Sequence, residues 1–596
     1  MDVGEIRHLI EQVRRAKLSR RDFVSKMAAA GLAAPMASML LAHHGVAWPQ
    51  AAPAYSPTRR GGGGTLRLIS WQGSTLLQPH FANGVKDQEA SRIFYEPLAN
   101  WDAEGSLVPV LAAGIPTREN GGVSADGTSV TWKLKQGVTW HDGQPFTADD
   151  CVATWEFVSH PQAATVTGGS YRGLTVTRVD SHTIRIVFAK PTPFWASPFV
   201  GAIGMILPRH HFGAYIGAKS REAPANLRPV GTGPYRFVDF RPGDFVRAEL
   251  YRDYHMPNRP YFDAVEIKGG GDATSAARAV LQTGDFDHAG NILVEDDVLR
   301  RMEEGGTGHV RTVQGGDIEF MLLNMTDPWS EFEGERAHAK TRHFAFSDPA
   351  VREAMSLLVD RAELQRFVYG RSGTATPNIL NNPERFRSPN NRMVFDTERA
   401  AALLEAAGWK PGADGIREKA GRRLKFEFQT SVSAPRQKAQ AVIKQAARAA
   451  GVELELKTVI PSVYFSSDVA NPNTYSKFWS DMQMYAHPQT QPDPERFMFQ
   501  FRAAEIPTKA NKWQGRNIAR WTHPEYERAC AAAEAELDPA ARAALFIRMN
   551  DIVVRDHAVI PLVLRSRVSV SANDLVAPMS PWDLDLSTLH SWHRRT

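Results

Sequence analysis

The sequence predicts an α/β protein with at least two lobes and a β-rich stretch in its first half. The chain has 596 residues, of which 43% are hydrophobic, whereas a single core seldom grows beyond about 250 to 300 residues. Strand, helix and strand patterns follow one another over residues 424–459, which is the order of a parallel crossover unit. Short strand patterns recur over residues 130–188 and indicate the β-rich stretch.

The N-terminal stretch resembles an export signal. Arg20 and Arg21 lie in the string S-R-R-D-F-V-S-K, and a small-residue and apolar run follows over residues 27–41. This run is shorter than a membrane span of about 20 residues, and paired arginines before such a run are typical of a twin-arginine signal. We therefore expect cleavage within residues 1–54 and a periplasmic product. The alternative is an amphipathic helix that opens a cytoplasmic domain, because apolar residues precede the arginines at helical spacing.

Composition and motifs exclude several classes of function. The formal net charge is +5, and part of it lies in the N-terminal segment and at Arg59 and Arg60, so no nucleic-acid surface is predicted. Zinc-protease, serine-hydrolase and phosphate-loop motifs are absent, so we predict no enzyme and no cofactor. His210-His211 has no Cys, Asp or Glu at ligand spacing beside it, and no metal site is predicted. Cys151 and Cys530 are expected to be buried and unpaired.

Local patterns place the elements in order. Alternating apolar residues predict strands over residues 65–70, 130–134, 175–179, 183–188, 236–239, 264–268, 424–430 and 452–459. Apolar residues at helical spacing predict helices over residues 273–283, 349–358, 396–407 and 436–450. Asp348 before Pro349 is a typical helix start, and Gly408 and Gly451 are typical stops.

Two glycine-containing motifs are read as turns. Asp142-Gly143 makes a tight turn, and Thr147 caps a helix whose first turn carries Asp149 and Asp150. The string G-T-G-P-Y over residues 231–235 is a turn and not a phosphate loop, because its proline lacks the backbone donor that a phosphate needs.

Several strings together resemble one known family. Residues 132–150, W-K-L-K-Q-G-V-T-W-H-D-G-Q-P-F-T-A-D-D, resemble the signature of the peptide, opine and nickel family of bacterial extracellular solute-binding proteins, family 5, which are the ligand-capturing parts of ABC importers. Further similar strings follow in the family's order, at residues 95–98, 231–235, 260–263, 348–361, 403–409 and 492–494. The resemblance covers nearly all of the chain from Thr65 onward.

The resemblance implies a two-lobed periplasmic binding protein fold of type II, with an extra β-rich subdomain inserted in the first lobe and a cleft between the lobes. After the signal at 1–54 and a flexible tether at 55–64, it places the first lobe at 65–97, 206–316 and 560–596, the inserted subdomain at 98–205 and the second lobe at 317–559. Chain crossings near Asp317 and His557 are expected to form a hinge. The implied partners are a small-molecule or oligopeptide ligand and an inner-membrane permease, and the protein is expected to be a monomer.

The resemblance also suggests ligand-binding residues. Asp481 stands where peptide-binding relatives have an aspartate that meets the ligand's ammonium, with Trp479 and Tyr485 beside it; the alternative is that Asp481 caps a turn and Trp479 belongs to the core. Thr430 occupies the place of an arginine that binds the carboxylate in dipeptide-binding relatives, and Arg436 could be only a surface charge. Position suggests four more ligand contacts: Trp71, Asn83, Gly84 and Asn378. The alternative for Asn83-Gly84 is a plain turn.

Because Thr430 stands where dipeptide-binding relatives have an arginine, the sequence does not decide which ligand is bound. A peptide or peptide-like solute is expected, and an opine, a sugar conjugate, nickel or haem are the alternatives within the same fold. A periplasmic sensor that uses the same cleft to signal is a further alternative, since the fold does not determine the output.

Overall fold

The computed structural model describes residues 55–103 and 105–595, together with the isolated positions 9, 12, 23 and 26. The chain divides into a unit of residues 1–56 and a unit of residues 57–596, and the fold below is that of the second unit. Arg20 and Arg21 lie outside the described residues, so the export signal stays a prediction. In the described part of the chain, no helix has the length and apolarity that a membrane span requires.

One large mixed sheet of eleven strands runs through the molecule. In chain order its strands are β1 (Thr65–Ser70), β2 (Tyr235–Arg241), β3 (Phe245–Leu250), β4 (Ala264–Gly269), β5 (His288–Ala289), β6 (Gly308–Leu323), β7 (Gly373–Ala375), β8 (Lys425–Ser431), β9 (Glu453–Val459), β10 (Met482–His487) and β11 (Val559–Ala572). Across the sheet the order is β9-β8-β10-β6-β11-β5-β1-β4-β3-β2, and β7 pairs with β11. The predicted α/β class is thereby confirmed.

The long antiparallel strands β6 and β11 connect the two halves of this sheet. Residues 318–323 of β6 pair with β10, whereas residues 570 and 571 of β11 pair with β5. Between these regions, the register of β6 against β11 shifts between Gln314 and Ile318. Gly315 lies in this shift, and a Cβ there would come within 2.6 Å of the Pro581 carbonyl oxygen, so the close approach requires glycine. Asp317 follows directly and lies where the sequence predicted a chain crossing.

Helices cover the sheet. They are α1 (Val85–Ser91), α2 (Ala148–Ser159), α3 (Arg209–Phe212), α4 (Ala273–Leu281), α5 (Asp296–Glu303), α6 (Pro349–Leu357), α7 (Arg361–Leu364), α8 (Thr397–Ala406), α9 (Ala434–Ala449), α10 (Pro461–Tyr464), α11 (Glu495–Phe499), α12 (Pro524–Ala533) and α13 (Pro539–Arg555). The predicted start at Asp348 is confirmed, because its carboxylate accepts the N–H of Ala350. Gly408 and Gly451 follow α8 and α9 with φ of 89° and 84°, as left-handed caps.

The predicted crossover unit of residues 424–459 is present. β8 and β9 are parallel neighbours, with Phe426 opposite Leu454, and α9 connects them. The apolar side of α9 contributes Ala439, Ile443 and Ala447 to one of three buried clusters. Burial of such side chains contributes roughly 25 cal/mol per Å² of apolar surface, so the amphipathic pattern of this segment is what holds it on the sheet.

The β-rich stretch forms a separate three-stranded sheet of residues Ser129–Lys133, Leu174–Asp180 and Thr183–Phe188. Thr147 and Asp150 form a reciprocal capping box at the start of α2, which confirms the predicted helix start. Both cysteines are buried and free. The lobe and subdomain boundaries stay a prediction, and β11 belongs to both halves of the sheet.

Candidate functional site

A cavity opens between the two halves of the large sheet, and we call it the interlobe cavity. The lining residues come from both sides of the cavity. The first half contributes Trp71, Gln72, Asn83, Gly84, Val85, Gln88, Asn291 and Leu293. The second half and the long strands contribute Asp317, Arg436, Phe465, Tyr475, Tyr485, Ala486, His487, Pro488, Arg516 and Arg565. The space between these residues is about 660 Å³ when its open mouth is included.

The topology explains why these residues meet. Trp71 and Gln72 directly follow the carboxyl end of β1, Arg436 lies in the first turn after β8, and His487 ends β10. Carboxyl ends of parallel strands in an open α/β sheet form a crevice that natural ligands use. Because β1 belongs to one half and β8 and β10 to the other, a solute in this crevice contacts both halves.

Two arginines in the cavity share one buried carboxylate. Arg436 Nε lies 2.7 Å from Glu319 Oε1, and Arg565 Nη1 lies 3.4 Å from Glu319 Oε2. Arg436 also donates to Ser431 Oγ at 2.7 Å. Burial alone would lower the pKa of Arg436, but the charge of Glu319 raises it above its usual value. The suggestion that Arg436 is only a surface charge is wrong, because its side chain is 4% exposed.

Asp317, which also lines the cavity, is neutralised by an arginine. Arg567 binds Asp317 in a bidentate manner, with both N–O distances at 3.0 Å, and the Gln489 N–H donates to Asp317 at 3.2 Å. Together with Arg516, four arginines therefore stand against the two carboxylates of Asp317 and Glu319. This group has two positive charges in excess.

Arg516 is the unpaired member of this group. Its Nε is buried and has no hydrogen-bond partner, and among the described residues no carboxylate lies within 4.0 Å of its guanidinium. Burial, and then the charges of Arg516 and Arg496, hold the pKa of His487 well below its usual range, so the imidazole is neutral at neutral pH. Arg516 as a whole is half-buried. A partly desolvated cation without a counter-ion is unfavourable, and an anionic ligand would supply the missing partner.

A second, larger cavity shares Arg516 with the first, and we call it the side cavity. It lies between the inserted β-rich region, with Phe188 and Phe194, and the segment that carries Arg496 and Phe499. It encloses about 1280 Å³ including its mouth.

Arg496 adds a second cation to the wall of the side cavity. It donates to Ser170 Oγ at 2.7 Å and to the Val166 carbonyl at 3.2 Å, and no carboxylate of the described chain pairs with it. Burial, followed by the charge of Arg516, lowers the pKa of Arg496 to about 9. Arg496 and Arg516 therefore repel one another, in a wall that also carries the carboxylates of Glu495, Glu505 and Glu534.

Aromatic and amide groups complete the interlobe cavity. Tyr485 packs edge to face against Phe320 and Tyr475, with ring centroids 4.9 and 5.1 Å apart. Trp71 Nε1 donates to the Asn291 carbonyl at 2.8 Å, which holds the indole in place. Asn83 Nδ2 is buried without an acceptor and faces the same space, so it is available to a ligand.

The structure brings together four of the predicted ligand residues: Trp71, Asn83, Gly84 and Tyr485 line the interlobe cavity. Sequence reasoning did not select Arg516, Arg565 or His487. One feature of the sequence could have indicated that Arg436 is paired. A cation in the first turn of a helix is unfavourable unless a carboxylate elsewhere pairs with it.

The structure corrects the placement of Asp481. This residue precedes β10, whereas the cavity lies at the carboxyl end of that strand, six residues or about 20 Å further along. Its carboxylate is 2% exposed and accepts three hydrogen bonds, from Trp329 Nε1 at 2.8 Å, His343 Nε2 at 3.0 Å and the Glu427 N–H at 2.7 Å. His343 Nδ1 accepts the Phe346 N–H, so Nε2 carries the proton that is donated to Asp481.

Three further predicted residues also lie outside the interlobe cavity. Thr430 is buried and donates to the Met484 carbonyl at 2.7 Å. Asn378 is buried and accepts from Asn391 and Asn550, both at 2.8 Å. Trp479 lies between two cations, with Arg336 Cζ 5.1 Å and Lys477 Nζ 4.8 Å from its ring centroid. Thr430 and Asn378 thus have hydrogen-bond partners within the protein, whereas Trp479 Nε1 is buried without one.

Replacing Asp481 with alanine is expected to lower the free energy of unfolding by about 3 kcal/mol, because it leaves buried donors without an acceptor. Ligand affinity should not change. The matched control is Asp348→Ala, which removes a helix cap and should cost about 1 kcal/mol. Urea unfolding and calorimetric titration measure the two effects, and a loss of affinity in a stably folded Asp481→Ala protein would return Asp481 to the ligand site.

Comparisons with known proteins agree with this architecture. Residues 106–506, two thirds of the chain, match the family described as bacterial extracellular solute-binding proteins, family 5 Middle. Glutathione-binding proteins GsiB of Escherichia coli strain K12 and of Pectobacterium atrosepticum are each 26% identical, over 342 and 353 residues. Each match covers 57% of this chain and 60% of the relative, so the chain spans less than two thirds of the relatives' length.

Solved structures show the same fold. The oligopeptide-binding protein AppA of Bacillus subtilis, in complex with a nonapeptide, is 20% identical with a TM-score of 0.77, over 91% of this chain and 100% of that one. The oligopeptide-binding protein of Thermus thermophilus with a pentapeptide is 21% identical with a TM-score of 0.77, over 89% and 96%. NikZ of Campylobacter jejuni with Ni(L-His) is 21% identical with a TM-score of 0.74, over 89% and 99%.

A shared sheet with a crevice between its halves defines a two-lobed solute-binding protein, and the fold class that the sequence predicted is confirmed. The chain belongs to the bacterial extracellular solute-binding proteins, family 5. This is a family of substrate-binding proteins of ABC importers, typically periplasmic, and its members among the relatives and fold neighbours are not enzymes.

Proposed function

We propose that this protein captures an anionic peptide or peptide-like solute in the interlobe cavity and delivers it to an ABC permease. The observation that carries the proposal is the unpaired Arg516, next to two arginines that share the single carboxylate of Glu319. A free carboxylate in the cavity would favour a cationic ligand, but Asp317 and Glu319 are both bound by arginine. The cavity therefore complements acidic groups.

The two cavities that meet at Arg516 favour a ligand with more than one acidic group. An acid bound to Arg516 in the interlobe cavity leaves Arg496 in the adjoining side cavity for a second acid or for a longer chain. Glutathione carries two carboxylates, and the relatives named for binding it support this choice of ligand class. An acidic opine has the same chemistry and remains the second choice within the proposal.

Capture is proposed to involve closure about the long strands. The register shift between Gln314 and Ile318 divides β6 into two parts. Residues 308–314 pair with the part of β11 that also pairs with β5, and residues 318–323 pair with β10. Only the pairs around Asp317 need to deform when the halves move. The ligand then shifts an existing equilibrium through the additional contacts of the closed state.

The proposal also includes three properties of the protein. It is exported through the signal that contains Arg20 and Arg21, it is located in the periplasm, and it is a monomer. A protein in that compartment meets solutes that have crossed the outer membrane, before a permease can move them inward. If the protein served a sensor instead, deletion of its gene would change signalling and leave solute uptake unchanged.

Calorimetric titration with three probes tests the ligand class. Glutathione is expected to bind more tightly than trialanine, and trialanine more tightly than trialanine amide, because each step removes an acidic group that the arginines would hold. Loss of a buried charged pair is worth about 2 to 5 kcal/mol. Equal affinity for trialanine and its amide, or tighter binding of the amide, would contradict an anion-selective cavity.

A further inference from the structure

The geometry points to a divalent metal site formed by Asp142 in the inserted β-rich region and by His210 and His211 in α3, which follows that region in the chain. Asp142 lies 68 residues before His210, and the fold brings them into contact. His210 Nε2 is 2.7 Å and His211 Nε2 is 3.0 Å from the same oxygen, Asp142 Oδ2. Each of the three residues offers one potential metal-ligating atom, and these three atoms all lie within 4.8 Å of one another. The sequence predicted no metal site here because it considered only near neighbours.

The distances fit metal coordination. Zinc lies about 2.0 to 2.2 Å from histidine nitrogen and carboxylate oxygen, so neighbouring ligands at about 90 to 110° are separated by roughly 2.9 to 3.5 Å. The nitrogen to oxygen distance of 3.0 Å lies within that range, and the distance of 2.7 Å is about 0.2 Å below it. A small outward movement of the rings therefore accommodates an ion.

Surrounding contacts hold the three ligands in place. Asp142 lies in the tight turn in which the Gly143 N–H donates to the Trp140 carbonyl at 2.8 Å. Asp150 Oδ1 accepts the Arg209 N–H at 2.9 Å, and its Oδ2 accepts Trp140 Nε1 at 3.3 Å. The turn that carries the carboxylate and the helix that carries the imidazoles are thus attached to one residue, which orients the ligands before an ion arrives.

The chemistry selects the ion. Two imidazoles and one carboxylate favour Zn²⁺ or Ni²⁺ over Mg²⁺ and Ca²⁺, which prefer oxygen ligands. All three side chains are about one-third exposed, so an ion can enter and water can complete its coordination. None of the three residues lines the interlobe or the side cavity, so this site is independent of solute capture.

Titration of untagged, chelator-treated full-length protein with Zn²⁺ tests the site. One equivalent is expected to bind, and His211→Ala and Asp142→Asn should each weaken binding about tenfold or more. His182→Ala is the matched control on the same region, and His43→Ala/His44→Ala excludes the N-terminal histidine pair; neither should change the affinity.

A second measurement does not depend on variants. In nitrogen-15 spectra of the wild-type histidine rings, Zn²⁺ should shift two ring resonances together, and these should be the two that are missing from a His210→Ala/His211→Ala protein. No binding of Zn²⁺, binding that persists unchanged in His211→Ala, or shifts in other histidines would overturn the proposal. Glutathione titration of the zinc-free protein separates this result from the proposed function, which it leaves intact.

Discussion

Replacing Arg516 with glutamine is expected to weaken binding of a dicarboxylate peptide such as glutathione by about 2 to 5 kcal/mol. Arg516 lines both cavities and is unpaired among the described residues, so the ligand supplies its counter-ion. Calorimetric titration measures the change. The matched control is Arg423→Gln, an exposed arginine that pairs with Asp414 away from both cavities, which should leave the affinity unchanged.

The same variant should be more stable than the wild type when no ligand is present. Arg516 repels Arg496 and lowers its pKa, so removing the charge relieves an unfavourable interaction in the folded state. We expect a higher midpoint of thermal unfolding together with lower affinity, which is the behaviour of a site built for a ligand. A destabilised Arg516→Gln protein that still binds glutathione normally would show that Arg516 is structural.

Replacing Glu319 with alanine is expected to lower the free energy of unfolding by about 3 to 5 kcal/mol. Glu319 is fully buried and is the shared partner of Arg436 and Arg565, so its loss leaves two buried guanidinium groups without a counter-ion. Urea unfolding measures the effect.

The matched control for Glu319 is Glu266→Ala. Glu266 pairs with Arg247 at 3.2 Å, and both side chains are about half exposed, so this change should cost less than about 1 kcal/mol. A similar small cost for Glu319→Ala would mean that the two arginines find other partners, and the charge excess in the cavity would then need revision.

Local elements could be predicted because their causes are local. The helix start at Asp348 and the stops at Gly408 and Gly451 depend on the backbone preferences of a few adjacent residues, and the structure has them where the pattern placed them. The parallel pair of β8 and β9 follows from the connection between them, which is long enough for a helix.

The candidate site was only partly predictable. Four predicted residues line the cavity. Trp71 directly follows β1, Asn83 and Gly84 lie in the loop before α1, and Tyr485 is near the carboxyl end of β10. The predicted position of Asp481 was wrong by the length of one strand. A motif similarity gives a residue's position along the chain, but it does not show at which end of the sheet the side chain lies. The ligand role suggested for Asp481 requires an accessible carboxylate, whereas that of Asp481 is 2% exposed and accepts three hydrogen bonds from the protein.

By itself, the amino-acid order determined the α/β class, the family and most helix and strand positions, because apolar periodicity and capping act over a few residues. Only the tertiary structure decided which charges meet. Glu319 lies 117 residues before Arg436 and 246 before Arg565, and the pairing of β6 with β11 brings all three together. The arginine that is left without a counter-ion, Arg516, is determined by distances in the folded protein. The proposed anion selectivity follows from this unpaired arginine.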